Sequence, residues 1–280
     1  MIRTMEEFEG INGFPRTAIL ISHTYEEPFA HLYKSMRDEL WKNFQSSGID
    51  VYYVIGRKPS FLNQIHVKAS NYLRYKRAIW VIQRFLDQII LRKFNHKNPS
   101  AQICGQTIHI DIPEGLPYLA AKMNSAYFKM VQEDYEVIYR TTLSSVVNLN
   151  EFLHWAKIAS EAQFFYGGSL LNFGKRTFVS GASLLLNQNA VKILQQNIKL
   201  WNHADLDDVA IGKMLQNKIL PTEIFSINIG GLREIENLDW EKVSRAIQVR
   251  CKSLGAPRID DEIMKEVLRK FPNIQKRLDK

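Results

Sequence analysis

The apolar residues near the start of the chain form two short runs separated by a stretch with helical spacing. Residues 18–22 (AILIS) predict a β-strand, which ends in a polar turn made of Ser22, His23 and Thr24. The stretch that follows has an apolar residue at every fourth position: Leu32, Met36, Leu40 and Phe44. Residues 51–55 (VYYVI) are rich in aromatic and β-branched side chains and predict a second strand. The chain is therefore expected to open with a parallel βαβ unit.

The polar turn after the first strand is a candidate ligand site. Open α/β sheets bind their ligands at the carboxyl ends of parallel strands. We therefore expect Ser22, His23 and Thr24 to contact a nucleotide. A capped turn without a ligand is the alternative interpretation.

Predicted strands and helices alternate through the rest of the chain. The strands are expected at 107–112, 136–140 and 178–186. The helices are expected at 118–130, 190–198 and 209–215, with a further helix at the C-terminus. This alternation predicts an α/β fold with a mixed or mainly parallel sheet, and 280 residues suit one catalytic domain over 1–280 that ends in a basic segment and helix, 247–280.

Residues 66–94 have helical spacing and an unusual charge. Between residues 66 and 97 there are eight Lys or Arg and one acid, Asp87, which gives +7 of the total net charge of +8. Residues 65–98 are therefore interpreted as an inserted basic amphipathic helix. Contact with anionic lipid or an anionic glycan is the functional hypothesis, and a solvated helix face is the alternative.

Several features indicate where the protein works. Cys104 and Cys251 fit neither a zinc pattern nor a disulfide framework and are predicted to be buried thiols in a reducing compartment. The N-terminal residues lack the apolar core of a signal peptide, and the most apolar stretch, 79–91, is too interrupted to span a bilayer. We expect a cytoplasmic protein, peripheral at the inner face of the membrane.

Five short motifs then occur in a fixed order: 34–41 (KSMRDELW), 51–56 (VYYVIG), 109–122 (HIDIPEGLPYLAAK), 178–182 (FVSGA) and 207–212 (DDVAIG). In order and spacing they resemble the β-1,3-glycosyltransferase family that includes fringe and the β-1,3-galactosyltransferases, which has the GT-A fold. The resemblance implies a GT-A-like, Rossmann-type domain that transfers a sugar, with inversion, from a nucleotide diphosphate donor to a hydroxyl acceptor.

The segment 140–148 (RTTLSSVVN) departs from the family at its metal site. The family has Lys-Thr-Asp-Asp-Asp there, whereas Thr142 and Ser144 replace the carboxylates, and Gln248 stands where the family has a late His. A divalent cation on a diphosphate needs anionic oxygen ligands. We expect no metal cofactor, with Thr142 and Ser144 donating hydrogen bonds to the donor. An inactive relative and a metal held in another way are the alternatives.

The last motif supplies the catalytic candidate. The resemblance implies that Asp208 is the general base, and an N-cap of a helix from Val209 is the alternative. Asp207 is interpreted as a hydrogen-bonding partner of a ligand or as a solvated charge. Ser180 and Gly181 are expected to bring backbone against the sugar, or else to bend a core strand.

A departing diphosphate needs positive charge, which fixed Lys and Arg side chains can supply in place of a metal. The candidates are Lys122, Arg140, Arg250, Lys252 and Arg258. The expected partners are a nucleotide diphosphate sugar, a glycan or lipid-linked glycan acceptor and an anionic membrane surface, with no nucleic acid. A membrane-binding or nucleic-acid-binding protein that uses the basic helix is the alternative function.

Overall fold

A computed structural model of the protein describes residues 14–24, 29–73, 89–91, 100–173, 176–202, 205–253 and 258–276. The described strands are β1 (Thr17–Ser22), β2 (Asp50–Arg57), β3 (Ala101–Cys104), β4 (Thr107–Pro113), β5 (Val137–Thr142), β6 (Ser145–Val147), β7 (Tyr166–Phe173), β8 (Arg176–Asn187), β9 (Thr222–Glu223), β10 (Ile227–Ile229) and β11 (Gln248–Cys251). The described α-helices are α1 (Phe29–Ser46), α2 (Phe61–Leu73), α3 (Leu119–Gln132), α4 (Leu149–Glu161), α5 (Gln188–Gln196), α6 (Asp207–Leu215), α7 (Leu232–Glu236), α8 (Trp240–Arg245) and α9 (Asp260–Lys270).

Eight strands form one large sheet in the order β3-β4-β2-β1-β5-β8-β7-β9. As described, four of its seven strand pairs are parallel: β4 with β2, β2 with β1, β1 with β5, and β7 with β9. The strands β3 and β8 run antiparallel to their neighbours. The predicted α/β fold with a mixed, mainly parallel sheet is confirmed.

The central strand β1 is buried on both faces. Ala18 and Leu20 face one apolar cluster and Ile19 and Ile21 face the other, and all four are 0% exposed. Helix α3 packs in the first cluster, and α1 and α4 pack in the second. A strand that is buried on both faces has apolar side chains at consecutive positions, which explains the AILI sequence.

The order in which strands are added to the sheet reverses between β1 and β5, which are themselves parallel. From β1 the chain passes outward to β2 and β4, and it then returns to add β5 on the other side of β1. Ser22 and Thr142 are register partners at the carboxyl ends of these two strands. In open α/β sheets, ligands bind in the crevice at such a point.

A second sheet of three strands, β10-β11-β6, was not predicted. Strand β6 begins directly after the turn that follows β5, and it pairs antiparallel with β11, so that Ser145 lies opposite Arg250. This sheet brings the C-terminal basic segment to the carboxyl end of β5.

The opening βαβ unit and the helices at α3, α5 and α9 are confirmed with small shifts of their ends. Most of the predicted basic helix, at 74–88 and 92–97, lies outside the described residues, and its described beginning is α2, which starts at Phe61. No described helix is both long enough and apolar enough to cross a bilayer. The prediction for the cysteines was half wrong, because Cys251 is buried but Cys104 is exposed at the end of an edge strand.

Candidate functional site

A buried ion pair lies beneath the carboxyl end of β5. Arg140 is 5% exposed and Asp207 is 4% exposed, and a guanidinium nitrogen of Arg140 donates to the Asp207 carboxylate. Asp207 is the first residue of α6, so this pair fixes the start of α6 against the central sheet. The interpretation of Asp207 as a solvated charge was wrong, because the carboxylate is buried and paired.

Gly181 allows the close approach of this ion pair to β8. A Cβ atom on Gly181 would lie 2.5 Å from Nη1 of Arg140, so any larger residue would force the guanidinium out of its place. Gly181 therefore lies inside a strand, against a guanidinium, and Ser180 beside it accepts a hydrogen bond from the Ala182 N–H at 3.3 Å. The Ser-Gly-Ala segment builds the floor of the candidate site.

Asp208 faces this floor from the first turn of α6. Its Oδ2 accepts from the Gly181 N–H at 3.0 Å and its Oδ1 accepts from the Val209 N–H at 2.8 Å. The N-cap residue is Leu206, so the alternative interpretation of Asp208 as the N-cap was wrong. The carboxylate is partly exposed, and each of its oxygens keeps a further lone pair for a proton or a ligand.

A second buried carboxylate belongs to Asp260, which is 0% exposed at the start of α9. Its Oδ2 accepts from the Ser144 hydroxyl at 2.6 Å, its Oδ1 accepts from the Ser253 hydroxyl at 2.8 Å, and Arg258 donates to both oxygens. Burial works against the charged form, but these hydrogen bonds prevail and hold the pKa of Asp260 below its usual value. Asp260 thus orients Arg258 from below.

No role was predicted for Asp260 from the sequence; it lies in the segment 247–280, which was expected to end in a helix. Arg258 and Asp260 are two residues apart in the chain, which was the available signal, but Ser144 is separated from Asp260 by 116 positions. The structure directs the Ser144 hydroxyl hydrogen at Asp260, where the sequence led us to expect a contact with a donor. Thr142 lies at the end of β5 and shares a 3.0 Å hydrogen bond with the Ser145 hydroxyl.

Arg250 lies among these charged groups. Burial lowers the pKa of its guanidinium, and the charge of Arg258 lowers it further, while Asp260 and Asp208 act in the opposite direction. Its Nε is buried without a hydrogen-bond partner, and Arg250 forms no ion pair within the described part of the chain. Such a donor is costly to bury unless something binds it.

Lys252 extends the same cluster toward solvent. Although the side chain is exposed, partial desolvation lowers the pKa of its ammonium group, and the neighbouring charges of Arg250 and Arg258 lower it further. Like charges held together repel one another, so an anion that binds among them is stabilised. We call Arg250, Lys252 and Arg258 the cation cluster.

Lys122 differs from Arg250 and Lys252 because its charge is already balanced by a carboxylate, as the charge of Arg258 is by Asp260. Its Nζ is 3.0 Å from both carboxylate oxygens of Glu114 and donates to the His23 carbonyl at 2.9 Å. Both side chains are buried, and Glu114 also accepts from the Gly56 N–H. This arrangement ties the ends of β1 and β2 to α3.

The His23 side chain is part of the core, since it is 2% exposed and stacks on the Tyr33 ring at 4.4 Å. Burial, with a smaller contribution from Lys122, lowers its pKa to about 4, so the imidazole is neutral at pH 7. Ser22 and Thr24 on either side are partly exposed. The predicted contact of this turn with a nucleotide stays a prediction.

The described side chains of the site do not form a donor set that suits a divalent cation. Among the described residues no group of three His, Cys, Asp or Glu side chains could hold a metal ion. Gln248, where a late His would stand, is 1% exposed and accepts hydrogen bonds from the Tyr139 and Thr141 hydroxyls at 3.0 and 2.8 Å. The hydroxyls of Thr142 and Ser144 are neutral, and Asp260 is engaged by Arg258.

Comparison with solved structures gives several weak matches. The galactosyltransferase LgtC, in complex with donor and acceptor sugar analogues, has a TM-score of 0.44 and 9% identity over 94% of this chain and 98% of its own. A glycosyltransferase involved in glycosylation of the major capsid of PBCV-1 has a TM-score of 0.43 and 13% identity over 90% of this chain and 100% of its own. The glycosyltransferase GlyE of Streptococcus pneumoniae TIGR4 has a TM-score of 0.44 and 13% identity over 93% of this chain and 62% of its own.

No protein-family model matches the chain, and no curated protein matches it. The structural likenesses are low in both TM-score and identity, so the function has to rest on the residues of this chain. The resemblance to the fringe and β-1,3-galactosyltransferase family stays a prediction, as does the single-domain organisation.

Proposed function

We propose that the protein is a metal-independent glycosyltransferase, which transfers a sugar from a nucleoside diphosphate donor to a hydroxyl acceptor with inversion. One observation carries the proposal. A partly exposed carboxylate with open lone pairs, Asp208, lies against Gly181 of β8, near enough to Arg250 to influence the pKa of its guanidinium. A base beside unpaired positive charge is what the displacement of a diphosphate requires.

The cation cluster supplies the positive charge for the diphosphate. Arg250 has a buried donor without a partner, and Lys252 is exposed and repelled by its neighbours. A diphosphate bridging these side chains provides acceptors for the free donors and neutralises the repulsion. The guanidinium groups stabilise negative charge as it develops on the leaving diphosphate, which is the work a divalent cation performs in metal-dependent enzymes.

Asp208 takes the proton from the acceptor hydroxyl. The Gly181 and Val209 N–H groups hold both of its oxygens in place. Proton transfer to the carboxylate accompanies attack of the acceptor oxygen on the anomeric carbon, the bond from that carbon to the diphosphate oxygen breaks, and the cation cluster receives the leaving group. A single displacement from the opposite side inverts the anomeric centre.

Two buried ion pairs keep this site in shape. Asp260 orients Arg258, and the pair of Arg140 with Asp207 fixes α6 and therefore Asp208. The pair of Arg140 with Asp207 touches no reacting atom in this scheme, and Asp260 acts only through Arg258, which contacts the diphosphate. Arg140, Asp207 and Asp260 are therefore positioning residues, and their rigidity reduces the cost of assembling the site when the donor binds.

The proposal is tested by screening nucleoside diphosphate sugars for thermal stabilisation, with and without EDTA. We expect one or more donors to raise the melting temperature and to turn over in both conditions, and NMR of the product to show an inverted anomeric centre. Complete loss of turnover in EDTA with recovery in manganese would refute the metal-independent mechanism. Retention at the anomeric carbon would refute the role of Asp208 as the base of a single displacement.

A further inference from the structure

Helix α2 exposes apolar side chains to solvent and turns polar side chains toward the rest of the protein. Phe61 and Leu62 are each 75% exposed and Ile65 is 49% exposed. On the packed side, the Asn63 and His66 side chains hydrogen bond to the Tyr118 hydroxyl at 3.3 and 2.9 Å. We call Phe61, Leu62 and Ile65 the apolar face of α2. Single exposed apolar residues are ordinary, but three on one helix face mark a binding surface.

The attachment of α2 to the rest of the protein is specific. Gly115 has φ +134, and a Cβ there would lie 2.6 Å from a methyl carbon of Val67. The glycine therefore lets α2 settle against the segment before α3, with its inner side fixed by the Tyr118 hydroxyl. This contact holds the apolar face of α2 toward solvent.

Two lysines flank the apolar face of α2. Lys58 precedes the helix, Lys68 lies on its exposed side, and both are exposed. The helix itself contains no acidic residue. The sequence from 74 to 93 contains one acid, Asp87. It also contains six basic residues: Arg74, Lys76, Arg77, Arg84, Arg92 and Lys93.

We infer that α2 docks the protein on the surface of an anionic lipid bilayer, with Phe61, Leu62 and Ile65 inserted among the headgroups. The combination of an apolar face, flanking lysines and no acid is complementary to anionic lipid. Helix α2 follows the carboxyl end of β2, the same edge of the sheet that carries Ser22 at the end of β1. Docking through α2 therefore places the candidate site on the membrane-facing side of the molecule.

Sedimentation with lipid vesicles tests the inference without any assay of activity. The full chain should pellet with vesicles of equal parts phosphatidylcholine and phosphatidylglycerol, and pellet much less with phosphatidylcholine alone. The triple variant Phe61→Ser, Leu62→Ser, Ile65→Ser should lose this binding. Leu220→Ser is the matched control, since Leu220 is 84% exposed outside α2 and should leave binding unchanged.

The charge contribution is tested with Lys58→Ala, Lys68→Ala. Each lysine near an anionic surface contributes about fivefold to binding, so this double variant should bind about thirtyfold more weakly. Lys218→Ala, at an exposed lysine elsewhere, is the control. Unchanged thermal unfolding of all variants shows that they fold.

Three results would overturn the inference: no sedimentation of the full chain with anionic vesicles, equal sedimentation with neutral ones, or sedimentation unaffected by the triple variant. Concentration-dependent self-association that the triple variant abolishes, without any vesicle binding, would assign the apolar face of α2 to a second copy of the chain. Failure of the proposed sugar transfer would leave these measurements unaffected.

Discussion

Asp208→Asn removes the proposed base and changes only one side-chain atom from oxygen to nitrogen. Both Asp208 oxygens accept backbone N–H groups, from Val209 at 2.8 Å and from Gly181 at 3.0 Å. An asparagine has one acceptor oxygen, so one of these N–H groups loses its partner. A hydrogen bond to a charged group contributes about 1.5–3 kcal/mol, and negative charge in the first turn of a helix adds about 0.3–1 kcal/mol. The free energy of unfolding should therefore fall by roughly 2–4 kcal/mol.

The effect on turnover should be separable from this loss of stability. A domain with about 5–15 kcal/mol of stability remains folded after the substitution at 25 °C. Removal of a general base lowers the rate by about 10² to 10⁴. The assay is steady-state turnover of the donor identified by the thermal screen, together with calorimetric affinity for the free nucleoside diphosphate. We expect kcat to fall by that factor and the affinity to stay near the wild-type value.

Asn187→Ala controls for destabilisation alone. Asn187 caps α5 by accepting from the Ala190 N–H at 3.0 Å, and it pairs with Val137 at the opposite edge of the sheet from the site. Its loss should cost at least about 1–2 kcal/mol and leave kcat unchanged. Wild-type turnover in Asp208→Asn would refute the assignment of the base. An equal loss of kcat in Asn187→Ala would show that stability, and not proton transfer, limits the rate.

Three further predictions concern charge. Arg250→Ala should weaken binding of the free nucleoside diphosphate by about 10- to 100-fold, with little effect on folding. The control, Arg245→Ala, changes a side chain that is 73% exposed and should leave the affinity unchanged. Equal affinities of the two variants would exclude Arg250 from the diphosphate site. Asp207→Asn leaves Arg140 buried without its counter-ion and should lower the free energy of unfolding, measured in urea, by about 3–5 kcal/mol. A decrease below about 1 kcal/mol would contradict the buried ion pair. A histidine in the unfolded chain has a pKa of 6.5, whereas burial lowers the pKa of His23 in the folded protein to about 4. The free energy of unfolding should therefore decrease as the pH falls from 6.5 to about 4. His23→Phe should remove part of that decrease, and identical pH profiles of the two proteins would contradict a buried neutral imidazole.

Features that depend on neighbours in the chain followed from the sequence. The opening strand, helix and strand are set by the spacing of apolar residues over a few positions, and the structure has them at β1, α1 and β2. The βαβ order then predicted that Ser22 lies at the carboxyl edge of the sheet. Six of the described strands were not predicted: β3, β6, β7, β9, β10 and β11. Of these, β6, β9 and β10 have only two or three residues, which carry too little periodicity.

The first residue of helix α6 was also not predicted correctly from the sequence. From the sequence, α6 was expected to start at Val209, with Asp208 as the general base or, alternatively, the N-cap, but the helix begins at Asp207. The difference of two residues changes the chemistry of both carboxylates. Asp207 turns inward to Arg140, and Asp208 is left to face Gly181.

By itself, the sequence determined the fold class, the excess of positive charge and the identity of most residues that could carry chemistry. Only the tertiary structure decided which charges are already neutralised. Lys122 and Arg140 are matched by Glu114 and Asp207, whereas Arg250 has no ion-pair partner among the described residues. The pairing of Arg140 with Asp207 spans 67 positions, and that of Ser144 with Asp260 spans 116. Such contacts depend on the order of strands and the packing of helices across the whole chain, and no local pattern of residues encodes them.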